Sequence, residues 1–110
     1  MREERYDYLL ADDARLRVRF TAKRGKVVEF VAQLEFFGQE DWEPLVRYDS
    51  AHGFPHRDQY FPDGTVSKHE PLPASDLGEA LTYAINEIKR DWAKLCQEFR
   101  RSRRRRRKRR

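Results

Sequence analysis

Alternation of apolar and polar residues, strict over residues 15–22 and less regular over 27–37, constrains the fold of this chain more than any other feature. In the first stretch, Leu16, Val18 and Phe20 fall on one side of an extended chain and arginines fall on the other. A period of two is that of a half-buried β-strand. Gly25 lies between the two stretches and can adopt the positive φ of a tight turn, so the pattern predicts a β-hairpin.

The second stretch carries apolar residues on both of its faces. Its predicted core-facing set alternates along the strand: Val28, Phe30, Ala32, Leu34 and Phe36. The opposite face still holds Val27, Val31 and Phe37, which is more apolar than a solvated face requires. The pattern therefore predicts that a second copy of the chain covers this face, forming a homodimer.

Three further strands are predicted at residues 42–49, 56–61 and 65–69, with the turn Pro-Asp-Gly at residues 62–64 between the last two. A helix then begins at Ser75 or Asp76, where Asp76 and Glu79 have the spacing of a capping box. Its apolar residues recur at steps of three and four, which predicts an amphipathic helix of about 24 residues. These residues are Leu77, Leu81, Ala84, Ile85, Ile88, Trp92, Leu95 and Phe99.

The predicted fold class is α+β, an antiparallel meander of about five strands with one long carboxy-terminal helix packed on one face. Residues 1–99 are predicted to form a single domain. Residues 100–110 are predicted to be a disordered arginine-rich tail, because like charges repel, although arginine has good helix propensity.

The net charge of +5 comes from this tail, which holds ten of the 24 Lys and Arg residues. Residues 1–99 keep 14 basic against 19 acidic residues and are acidic overall. A local run of cationic residues predicts binding to the phosphates of nucleic acid, with RNA favoured over DNA as the partner. The alternative is an extension that only increases solubility. The predicted binding residues of the tail are Arg100, Arg101, Arg103, Arg104, Arg105, Arg106, Arg107, Lys108, Arg109 and Arg110.

Cysteine content and hydropathy predict the compartment. A single cysteine, Cys96, excludes an internal disulfide and a cysteine-only metal cluster. The chain shows neither the apolar core of a signal peptide nor the ~20 apolar residues of a membrane span. We expect a cytoplasmic protein that needs no membrane and no cofactor.

Residues 47–58, with the sequence RYDSAHGFPHRD, gather most of the chain's chemically reactive side chains. If paired residue numbers of the two flanking strands sum to 105, Asp49 lies opposite His56 and Arg47 lies opposite Asp58. This register predicts a solvent-facing polar cluster on the sheet face turned away from the helix. A slip of one residue would separate the groups.

Metal-independent RNA cleavage is the sharpest hypothesis for this cluster. His56, held by Asp49, and His52 would exchange protons with the reacting oxygens, while Arg47 or Arg57 would stabilise the developing negative charge. The predicted catalytic residues are His52, His56, Asp49 and Arg47, and the predicted binding residues here are Arg57 and Asp58. Two alternatives stay open: a structural cross-strand ion pair, and a divalent metal site made by the two histidines with Asp49 or Asp58.

The segments WEPLVRYDSAHGFPHRD, FPDG and LGEALTYAI resemble a family of small uncharacterised prokaryotic proteins that share an R-Y-D-x-A-H-G-x-x-H core. More distantly, the chain is similar to TumE-type toxins of toxin–antitoxin pairs, which carry a denser histidine cluster where this chain has PHRD. The resemblance covers about residues 15 to 95 and implies an α+β fold, a toxin-like role and an antitoxin partner, with Asp49, His52 and His56 as the matching positions. We therefore expect a nucleic-acid-associated protein, specifically a toxin-like ribonuclease, with a non-catalytic protein-binding or nucleic-acid-binding module as the alternative.

Overall fold

A computed structural model describes residues 1–51, 54–67 and 70–108, with side chains as far as Arg105. In these residues, six antiparallel strands form one open sheet in the order of the sequence. A carboxy-terminal helix packs against the sheet, which confirms the predicted α+β class. The elements are β1 (Arg2–Ala11), β2 (Ala14–Lys23), β3 (Lys26–Phe37), β4 (Trp42–Asp49), β5 (His56–Gln59), β6 (Glu70–Pro71) and α1 (Leu77–Lys108).

The alternating residues build the predicted hairpin between β2 and β3. Leu16 pairs with Leu34 across the two strands, and both side chains belong to the core that the helix covers. Arg24 and Gly25 form the two-residue turn and both have positive φ, at 53° and 77°. Such a turn matches the twist of the flanking strands.

Because of a β-bulge, two valines lie on the opposite faces of the sheet from those predicted. The pairing shifts between Thr21 and Ala22, so that Ala22 pairs with Val27. Val27 therefore packs on the core, whereas Val28, predicted to face the core, is 44% exposed. An extra residue in one strand turns the following side chains to the other face.

The core lies between one face of the sheet and the apolar stripe of α1. Leu16, Leu34 and Val46 from the strands meet Ala84 and Ile88 from the helix, and all five are fully buried. Asp76 caps the helix by accepting a hydrogen bond from the Glu79 amide at 2.8 Å, which confirms the predicted capping contact. The opposite face of the sheet, here called the open face, is not covered by the helix.

Both ends of the sheet differ from the prediction. β1 was not predicted, because only one side of it pairs with a strand, half of its residues are charged and most are exposed. Residues 68 and 69 of the strand predicted at 65–69 lie outside the described residues; Val66 makes an isolated bridge with Tyr60, and the short β6 lies beside β5. Ser67 bonds Gln59 through both its hydroxyl and its amide, and this irregular link replaces a regular ladder.

The helix also continues through residues that the sequence assigned to a disordered tail. α1 ends at Lys108 and not near Phe99. Arg100 pairs with Asp13 and Arg103 pairs with Glu43, so two of the like charges are neutralised where the helix passes the sheet. Arginine then contributes its helix propensity with less repulsion. In the described part of the chain, no helix has an apolar stretch long enough to span a bilayer.

Candidate functional site

The strand register arranges side chains of five strands in two rows across the open face. One row runs through Arg5, Arg19, Val31, Asp49 and His56, and the next through Asp7, Arg17, Gln33, Arg47 and Asp58. Directly paired residues of an antiparallel sheet point to the same side. The open face is therefore a surface rich in arginines and carboxylates, and it includes the predicted histidine.

The predicted register between β4 and β5 is confirmed. Asp49 pairs with His56, and Arg47 pairs with Asp58. Nε2 of His56 lies 3.1 Å from Oδ1 of Asp49 and 3.7 Å from Oδ2 of Asp58. The imidazole and the carboxylates thus meet side by side, as the sum of 105 requires.

The exposure of this cluster differs from the prediction. His56 is 1% exposed, and Asp49 and Asp58 are also buried. The ring of Phe54 lies 5.4 Å from the imidazole centroid and covers it from the side. A cluster predicted to face solvent is buried within the open face, so a substrate reaches the imidazole only if its cover moves.

The hydrogen bonds around His56 indicate where its hydrogens lie. Nδ1 is 3.1 Å from the carbonyl oxygen of Phe54, and a carbonyl only accepts, so Nδ1 carries a hydrogen. Nε2 faces carboxylates, which also accept. The imidazole of His56 is therefore held between the carbonyl of Phe54 and two aspartates, and a hydrogen on Nε2 would be donated to a carboxylate.

Both carboxylate oxygens of Asp49 accept hydrogen bonds. Its Oδ2 accepts from Nε of Arg47 at 2.8 Å, and its Oδ1 accepts from the amide of Ala51 at 3.0 Å. These bonds fix the carboxylate toward His56. Asp49, His56 and Asp58 each offer a ligand atom within 4.8 Å of the others, and are the described residues suited to hold a metal ion.

Arg57, predicted to act beside His56, lies on the opposite face of the sheet. Its Nε is 3.2 Å from the hydroxyl of Tyr48 and 3.5 Å from Oε1 of Glu87 on α1. Alternation along β5 puts Arg57 and His56 on different sides. Arg57 therefore joins the sheet to the helix and does not share a surface with the cluster. His52 lies outside the described residues.

Three arginines of the open face were missed as functional candidates. Arg5, Arg17 and Arg19 line a groove of about 230 Å³ that extends to Arg47. Arg17 lies 3.2 Å from Asp7, whereas Arg19 has no carboxylate partner among the described residues. The signal was present in the alternation of residues 15–19, which we interpreted only as a solvated strand face.

The profile of one family, described as Domain of unknown function (DUF7718), matches residues 1–105. The chain belongs to this family. The match includes every strand, the cluster around His56 and most of α1. No curated protein and no solved structure matches the chain.

The end of α1 in this DUF7718 chain divides the predicted binding arginines into two groups. Arg100 and Arg103 turn back to the sheet and pair with Asp13 and Glu43. In the described part of the chain, the other three have no carboxylate partner and are exposed: Arg101, Arg104 and Arg105. Arg106, Arg107 and Lys108 are helical in backbone, and their side chains, like all of Arg109 and Arg110, lie outside the described residues.

Proposed function

We propose that this protein binds nucleic acid, RNA before DNA, through the cationic end of α1. The observation that carries the proposal is the exposed trio Arg101, Arg104 and Arg105, which has no carboxylate partner among the described residues. Guanidinium groups bind phosphate oxygens through paired hydrogen bonds. Unpaired arginines on a surface are therefore suited to a phosphate backbone.

Helical spacing strengthens this proposal. Arg104 and Arg105 follow Arg101 by three and four residues, so the three side chains lie on one face of α1. The pairs made by Arg100 and Arg103 hold the helix against the sheet on its other side. A helix that is already ordered presents these charges with less loss of conformational entropy than a loose tail would.

A matched pair of double variants tests this interface in the full-length chain. Arg101→Gln with Arg104→Gln removes two exposed charges, and Arg100→Gln with Arg103→Gln removes two paired ones. We expect the first variant to bind a fluorescent single-stranded RNA more weakly and to reduce the slope of log K against log salt by about 1.4. We expect the second to change affinity less.

Fluorescence anisotropy over a salt series measures both quantities, and a duplex DNA of equal length tests the preference for RNA. Equal losses of affinity in the two variants would indicate that RNA responds to the total charge of the helix end and not to the exposed arginines. Unchanged affinity in the first variant would overturn the proposal.

A second candidate function, toxin-like ribonuclease activity without a metal, is favoured by the contact between His56 and Asp49. The 3.1 Å contact brings an imidazole and a carboxylate together, and Arg47 is bonded to that carboxylate. With its cover displaced, His56 would donate a proton to a leaving oxygen. His52 is the partner that the sequence suggests as the base.

Cleavage of a labelled RNA in the presence of a chelator tests this candidate. We expect His52→Ala and His56→Ala each to reduce cleavage by about 10² to 10⁴, and Asp7→Asn, on the same face, to leave it unchanged. A folded wild-type chain that binds RNA without cutting it would identify a binding module. Growth arrest on expression, relieved by either histidine variant, is the expected result for a toxin.

A further inference from the structure

We propose that Asp49, His56 and Asp58 form a binding site for a divalent cation of the zinc class. All three side chains are buried, and one ligand atom of each lies within 4.8 Å of the others. They come from paired positions of β4 and β5, so the backbone ladder fixes their spacing. The inference stands on this geometry and not on nucleic-acid binding.

The distance between His56 and Asp49 matches that between two ligands of one ion. Two atoms bonded to the same zinc at about 2.1 Å lie about 3.0 to 3.4 Å apart for angles between 90° and the tetrahedral value. Nε2 of His56 is 3.1 Å from Oδ1 of Asp49, within this range. Its distance of 3.7 Å to Oδ2 of Asp58 requires an adjustment of a few tenths of an ångström.

The hydrogen bonds behind the cluster are those that support metal ligands. A ligating histidine usually donates its second N–H to a backbone carbonyl, which directs the other nitrogen to the metal. Nδ1 of His56 makes this bond with the oxygen of Phe54. The Asp49 carboxylate is likewise held from behind, through Oδ2, by Arg47.

The charge of the cluster also suits a cation. A divalent ion would offset the charge of two buried carboxylates, and Nε2 of His56 would bind it as a neutral ligand. One imidazole and two carboxylates suit zinc, whereas soft ions prefer sulfur ligands.

A bound cation would oppose the ribonuclease candidate. Nε2 cannot hold a metal and donate a proton at the same time, so zinc should inhibit metal-free cleavage. Metal binding itself is measured without any RNA, and therefore does not depend on whether that candidate is correct.

Calorimetric titration of the chelator-treated full-length chain with Zn²⁺ tests the proposal, and the absorption spectrum of the Co²⁺ form reports the ligands. The variant is Asp58→Asn, and the matched control is Asp7→Asn, which lies in the same row and pairs with Arg17. We expect one Zn²⁺ per wild-type or control chain. Affinity should fall on the order of 100-fold in Asp58→Asn.

Circular dichroism checks that Asp58→Asn is folded, and Asp49→Asn provides a second ligand variant if it is not. An absence of Zn²⁺ uptake by the wild-type chain would overturn the proposal. Equal affinity in Asp58→Asn, Asp49→Asn and wild type would also overturn it, because the ion would then bind an adventitious surface site.

Discussion

Tyr48 is fully buried in the core, and its hydroxyl still has polar partners. The hydroxyl donates to Oε1 of Glu87 at 2.6 Å and accepts from Nε of Arg57 at 3.2 Å. Burial, with the bond to Glu87, raises the pKa of Tyr48 above that of an ordinary tyrosine. This bond links β4 to α1 and orients the helix on the sheet.

Replacing Tyr48 by phenylalanine should lower the free energy of unfolding by about 1 kcal/mol, because Glu87 loses a donor. The wild-type chain should also lose stability as pH rises above about 10, since its folded tyrosine stays protonated where the unfolded one ionises. The variant should lack this contribution. Urea unfolding from pH 7 to 11 measures both effects, with Tyr8→Phe, at an exposed position, as control. Equal alkaline loss in all three chains would contradict the assignment.

Cys96 should be unreactive in the folded chain. Burial raises the pKa of its thiol to about 11, so at pH 8 about one molecule in a thousand carries the reactive thiolate. We expect a disulfide reagent to label the native protein very slowly and the unfolded protein at once. Rapid labelling under native conditions would place Cys96 outside the core.

Among the strands and the helix, the features that depend on local periodicity were predicted from the sequence. The alternation of β2, that of β3 from Phe30 onward, the range of β4 and the cap of α1 are all local, and each agrees with the structure. β1 depends on pairing with β2, and this long-range contact cannot be predicted from the charged residues of β1. The continuation of α1 depends on Asp13 and Glu43, far away in the chain.

The candidate site divides in the same way. The pairing of Asp49 with His56 followed from the period of two once a register was assumed. The position of Arg57 on the helix side follows from the same period. The burial of His56 was not predictable, because the cover by Phe54 depends on how the chain returns after β4.

The cap of α1 should be sensitive to Asp76. Asp76→Ala removes the acceptor of the Glu79 amide and should cost about 1 kcal/mol, whereas Asp76→Asn should retain most of the stability. Hydrogen bonds from Ser75 hold the pKa of Glu79 below its usual value, so this end of the helix should weaken as pH falls through that lowered pKa. Thermal unfolding from pH 3 to 7 checks both expectations. A loss in Asp76→Asn equal to that in Asp76→Ala would rule out the side-chain cap.

The last turns of α1 should depend on their two ion pairs. Arg100→Ala with Arg103→Ala frees Asp13 and Glu43 and should speed amide hydrogen exchange in residues 100–108, because those turns lose their attachment to the sheet. Arg101→Ala with Arg104→Ala is the control and should change exchange little. Equal protection in the two variants would show that helix propensity alone maintains these turns.

Across the whole sheet, the apolar groups of the open face differ from those that the sequence suggested. Val27 packs on the core and its neighbour Val28 is 44% exposed instead, while Val31 stays on the open face and Phe37 makes an edge contact with Trp42 at 5.4 Å. A homodimer through this face stays a prediction. It would double the mass of 13.3 kDa in light scattering, and Val31→Glu should return the monomer. A wild-type mass of one chain at high concentration would exclude it.

Each strand pairs with the strand made just before it, and the helix comes after all of them. During translation the sheet can therefore assemble hairpin by hairpin. Its apolar face stays exposed until the helix that covers it has been synthesised. Until α1 has left the ribosome, that side is open to aggregation and to chaperones. A stop codon early in the helix should thus yield an insoluble product, even though every strand is present.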